Sequence, residues 1–138
     1  MSQTFQSKNP ATDAVIWEGA VTSENTLSEQ VATAKRAFST WSITPLSERI
    51  AILQDYAENL RQQKAALTTA LSEETGKPLW ESASEIEASI QKIDISIKAY
   101  QERCKEQIST TGTLRSAVRY KPHGVLAVYG PFNFPVHL

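Results

Sequence analysis

The sequence is poor in the residues that most often advertise a special chemistry. It has one cysteine, Cys104, so no internal disulfide can form and no cysteine-based zinc cluster can assemble. Its two histidines, His123 and His137, have no partners at metal-ligand spacing. Neither sign of charge prevails: 14 Lys and Arg stand against 15 Asp and Glu, a formal net charge of -1. That balance gives no electrostatic footprint for nucleic acid or for an anionic membrane surface. No run approaches the ~18 consecutive apolar residues of a membrane span. The polar opening "MSQTFQSKNPATD" lacks the apolar core of a signal peptide. The glycines at Gly19, Gly76, Gly112, Gly124 and Gly130 match neither a dinucleotide fingerprint nor a phosphate loop. There is no internal repeat and no low-complexity tract. These absences lead us to expect a soluble, cytoplasmic chain that binds no nucleic acid, membrane or metal.

What is present suffices for one domain: 138 residues, of which 41% are hydrophobic. Residues 1–22 read as a strand or hairpin, with turn chemistry at Asn9-Pro10 and Thr12-Asp13 before alternation around Val15 and Trp17. Residues 23–108 read as helices. From Ser23, the residues Leu27, Val31, Ala34, Phe38 and Trp41 recur at steps of three and four, which places them on one helix face. Thr44-Pro45 predicts a restart, a capping hydroxyl followed by proline at the first helical position. Leu46, Ile50, Leu53, Ala57 and Leu60 form the next stripe. A short helix with Leu67 and Leu71 ends at "ETGKP", where Gly76 can turn left-handed and Lys77 can face the last carbonyls. Pro78 opens the longest stripe, Leu79, Ala83, Ile86, Ile90, Ile93, Ile97, Tyr100 and Cys104, a helix of roughly 40 Å. Cys104 continues that apolar stripe near the helix's C-terminal end. There the dipole disfavours a thiolate, so the cysteine reads as packing rather than as a nucleophile.

Ser109 to Gly112 breaks the pattern. "TLRSAVRYK" (113–121) alternates as a strand with one wet face, and Arg115, Arg119 and Lys121 make that face basic. A solvated or edge-protecting face is the plain reading; contact with acidic groups of another subunit is the sharper one. After Pro122-His123-Gly124, "VLAVY" (125–129) is apolar without alternation, as a parallel strand covered on both faces would be. In open α/β sheets ligands bind just beyond the C-terminal ends of such strands, and there stands "GPFNFP" (130–135). Gly130 permits close approach, and Pro131 and Pro135 stiffen the loop around Asn133. An amide so held can donate to an oxyanion developing on a carbonyl carbon. Equally, the asparagine can cap its own turn.

The segments "NPATDAVIWEGAV", "RAFSTW", "SERIAIL", "SEETGKPLWES" and "RYKPHGVLAVYGPFNFP" resemble, in order, the amino-terminal part of the aldehyde dehydrogenase superfamily, with Phe132 where tryptophan is usual. "ETGKPLWE", "KIDISIKAY" and "KPHGVLAVYGPFNFPVHL" resemble more narrowly the members that oxidise N-succinylglutamate 5-semialdehyde in arginine degradation. The resemblance implies an α/β parent fold with a Rossmann-type NAD domain. This chain would be its mostly helical N-terminal portion, with residues 125–138 giving the first sheet strand and the asparagine loop. It implies that Tyr129, Gly130, Pro131 and Phe132 bind the cofactor, NAD with NADP not excluded. Asn133 would be the oxyanion donor, Phe134 and His137 would face the aldehyde channel, and 113–121 would make the contact of a homo-oligomer.

The nucleophilic cysteine, general-base glutamate, phosphate-binding lysine and glycine-rich turn of such enzymes have no counterpart in this sequence. The chain alone is therefore expected to be inactive, with 113–138 disordered, self-associated or docked on another chain. An inactive helical module that binds a full-length subunit, or a dehydrogenase for another semialdehyde, stays open at this point.

Overall fold

The computed structural model describes residues 3–137. In chain order the elements are β1 (Thr4–Lys8), β2 (Val15–Ala20), α1 (Glu24–Trp41), α2 (Leu46–Gln62), α3 (Lys64–Thr75), α4 (Leu79–Arg103), β3 (Gln107–Thr111) and β4 (Leu114–Val118). The strands form two separate antiparallel hairpins, β1–β2 and β3–β4. In the first, Asn9 closes the turn with its own side chain: its Oδ1 accepts from the amides of Ala11 at 2.9 Å and Thr12 at 3.3 Å. The Ser7 hydroxyl donates to Glu74 at 2.8 Å and ties the hairpin to α3.

Ser23 caps α1, its hydroxyl accepting from the Thr26 amide. The apolar face of α1 is nonetheless left open, and the helix buries none of its residues. Thr44 does not cap α2. Its hydroxyl donates back to the Thr40 carbonyl at 3.1 Å, and Pro45 takes the N-cap position without a side-chain bond. Proline there fits because the position needs no backbone donor. The α3 helix stops where its left-handed glycine was expected: Gly76 has φ 75°. A side chain at Gly76 would also press within 2.9 Å of the Pro10 ring, so both the turn and the packing of the hairpin require glycine.

The core is small and centred on α4, which packs on α2 and α3. Ile86 and Ile90 from the middle of the long stripe meet Ala57 of α2 and Leu71 of α3, with Leu60, Leu67 and Ile93 half-buried around them. The ends of the stripe are open, Leu79 at 58% and Tyr100 at 42% exposure.

The strands of this chain differ from the sequence expectation at three places. Residues 109–111, read as a break, belong to β3, because β4 needs an antiparallel partner and the turn at Thr111–Leu114 folds the chain back onto it. The strand read over 113–121 is the shorter β4, 114–118. Residues 125–129 form no strand: 119–131 carry no regular element and pair with neither hairpin. An apolar run becomes a strand only when a neighbour completes its backbone hydrogen bonds, and the described residues offer none beside it.

Candidate active site

The loop after this unpaired stretch bends back onto α4. The anchor is a carboxylate. Glu85, 4% exposed, lies on the buried side of α4 next to Ile86. One oxygen, Oε2, accepts from the Lys77 ammonium at 2.7 Å. The other, Oε1, accepts from the backbone amides of Val136 at 3.0 Å and His137 at 3.4 Å. The same Lys77 ammonium stands 4.0 Å from the centroid of the Phe134 ring, a cation–π contact. Burial pushes the Glu85 carboxyl up, but the Lys77 hydrogen bond, the two amides and the lysine charge outweigh it and hold it below the usual carboxylate value. Lys77, expected at the end carbonyls of α3, is thus turned toward α4 instead. A carboxylate eight residues on offers a full charge where the carbonyls offer a dipole end.

Asn133 sits at the exposed crest of this loop, between Phe132 and the anchored residues. Unlike Asn9, it does not close its own turn: among the described residues its amide has no hydrogen-bond partner. Of the other residues singled out by sequence, Tyr129 and Phe132 are each 93% exposed and Phe134 is 36% exposed under Lys77. His137 is half-buried and touches the hollow formed by Ser89, Ile93 and Val136. A Cβ added at Gly130 would meet the Pro135 carbonyl at 3.7 Å, an ordinary van der Waals distance, so nothing in this structure crowds that position. The structure therefore gathers Phe134 and His137 at the α4 surface and leaves Tyr129, Phe132 and Asn133 open.

Cys104 caps the C-terminal end of α4, half-buried, its amide donating to the Tyr100 carbonyl at 2.9 Å. Arg119 pairs with Glu106 within its own chain. Among the described residues no cluster of His, Cys, Asp or Glu is arranged to hold a metal ion. No helix there is long and apolar enough to cross a membrane.

Comparison with known proteins decides the family. The family model described as "Aldehyde dehydrogenase family" matches residues 1–138. The chain belongs to the aldehyde dehydrogenase family. It is 46% identical over 134 residues to the N-succinylglutamate 5-semialdehyde dehydrogenase of Burkholderia mallei (strain SAVP1), covering 97% of this chain and 28% of that one. Among solved structures it resembles the methylmalonate-semialdehyde dehydrogenase DddC from Oceanimonas doudoroffii, with a TM-score of 0.88, 28% identity, and coverage of 97% of this chain and 28% of that one. It shares the fold of an NADP-dependent glyceraldehyde-3-phosphate dehydrogenase from Bacillus halodurans C-125 complexed with NADP, at a TM-score of 0.90 and 21% identity over 98% of this chain and 30% of that one. The chain thus spans under a third of the length of these relatives. Its mostly helical make-up is that of the amino-terminal part of the family's α/β fold.

The anchor was the part that sequence reasoning missed. Lys77 and Glu85 are eight residues apart, with Pro78 and the start of α4 between them, outside the three- and four-residue steps that signal helical pairs. The available signal was Glu85 itself, an acid beside Ile86 on the apolar side of the stripe.

Proposed function

We propose that this chain supplies the oxyanion-binding loop of a nicotinamide-dependent aldehyde dehydrogenase that converts N-succinylglutamate 5-semialdehyde to N-succinylglutamate in arginine catabolism. The observation that carries the reading is the contrast between the two turn asparagines. Asn9 spends its side chain on its own turn, whereas Asn133 is exposed on an anchored loop, its amide without a partner among the described residues. A fixed amide donor has most effect where charge develops on oxygen during reaction. The substrate rests on the narrower sequence resemblance, and the similarity to the Burkholderia mallei enzyme supports it.

Tyr129 and Phe132 present open aromatic faces on either side of Gly130-Pro131, and a flat ring fits such a surface. These four residues would hold the nicotinamide side of NAD or NADP, which supplies the hydride acceptor when bound. Asn133 would orient the aldehyde oxygen and stabilise its negative charge, with Phe134 and His137 along the approach. The chain exposes 10972 Å², against roughly 7,100 Å² for a compact protein of its size. That excess supports packing against further chain of the same fold or against a second subunit, with the 113–121 face as the contact of a homo-oligomer. The enzyme would work in the cytoplasm, and the chain alone would be inactive.

The test is a chimera in which residues 1–138 replace the matching part of the Burkholderia mallei enzyme. It should form NADH with N-succinylglutamate 5-semialdehyde and act more slowly on other semialdehydes. A folded chimera that oxidises no aldehyde would refute the enzyme reading, and preference for another semialdehyde would refute the substrate.

A further inference from the structure

We propose that Lys77 and Glu85 are positioning residues for Asn133, a buried ion pair that clamps the asparagine loop onto α4. The pair reaches the loop twice. Glu85 holds the backbone at Val136 and His137, and Lys77 holds the ring of Phe134, the residue next to Asn133. Both ends are built on fixed supports. Glu85 belongs to the stretch of α4 that carries Ile86, 1% exposed in the core. Lys77 lies between left-handed Gly76 and Pro78, and its carbonyl accepts from the Ser72 hydroxyl at 2.6 Å. The Glu85 side chain is 1% exposed and the Lys77 side chain 14%, so neither solvent nor salt weakens the contact much.

An ion pair is a poor choice if the task is only to hold two helices together, since apolar residues of similar volume do that as well. What apolar residues cannot do is accept from loop amides. An oxyanion donor depends on such support, because a displacement of about 1 Å can cost on the order of 10²-fold in rate. The role assigned here rests on the reading of Asn133 as that donor. The clamp itself does not, and the experiment separates the two.

In the chain as it stands, amide hydrogen exchange should show Val136 and His137 protected relative to Tyr129 and Gly130. Lys77→Met and Glu85→Gln should lower that protection about tenfold while Ile86 and Ile90 keep theirs; Lys77→Arg should restore it. Phe134→Leu, which leaves the ion pair in place, should loosen the loop less. In the chimera, Lys77→Met should lower kcat about tenfold with little change in the KM for NAD, and Lys77→Arg should recover it. Unchanged protection at Val136 and His137 would overturn the clamp. So would an equal loss at Ile86 and Ile90, which would make the pair a general support of the fold. Lost protection together with full-rate turnover of the chimeric Asn133→Ala variant would leave the clamp but overturn its role in positioning a donor.

Discussion

Glu85 shows how one side chain joins stability to the site. A carboxyl whose folded-state pKa is depressed stabilises the fold above its unfolded value, near 4.3, and loses that contribution as pH falls through the folded value. For Glu85 the depression comes from Lys77 and the two loop amides acting against burial. We therefore expect the loop to stay docked through neutral and mildly acidic pH and to release below the ordinary carboxylate range. Urea unfolding from pH 7 to 3 should show stability falling at the acid end, with a shallower fall in Glu85→Gln. A Glu85→Gln curve parallel to the parent's would show that this carboxylate is not linked to folding. At neutral pH, removing Lys77 and leaving the acid buried alone should cost about 3 kcal/mol, the lower end for a broken buried pair.

At the scale of elements, the β1–β2 hairpin shows how a missing side chain makes room for a contact. Phe5 faces Gly19 across the hairpin and Ser7 faces Trp17. The Trp17 ring leans over Gly19 to meet Phe5 edge-on, ring centroids 5.2 Å apart. A Cβ at Gly19 would fall 2.0 Å from that indole. Gly19→Ala should push the ring off Phe5, shifting the Trp17 indole NH resonance and costing about 1 kcal/mol, in the range of an aromatic pair. An unshifted resonance would mean that the ring does not rest there. Helix positions were readable because their signals are local: Ser23 as a helix start, Gly76 as a left-handed stop and the Ile86–Ile90 step as a core face need only near neighbours. Strand positions were harder. The run 125–129 has interior composition, but pairing depends on residues far away in sequence. The open stripe of α1 is the same lesson for a helix, since periodicity names a face without naming what covers it. The asparagine loop was legible as a motif, whereas its attachment to Glu85 spans 51 residues and left no local trace.

For the whole molecule, the small core and large exposed surface agree with a chain that covers 28% of its relative's length. Its chemistry would be completed by residues outside this sequence, with Asn133 as its own contribution. The most direct measurement is therefore the kcat of Asn133→Ala in the chimera with the Burkholderia mallei enzyme, with the unextended chain as control. The account predicts that kcat falls about 10²–10³-fold, the usual loss for one oxyanion donor. The KM for NAD should hardly change, and residues 1–138 alone should form no NADH. An Asn133→Ala chimera that turns over at the parent rate would contradict it.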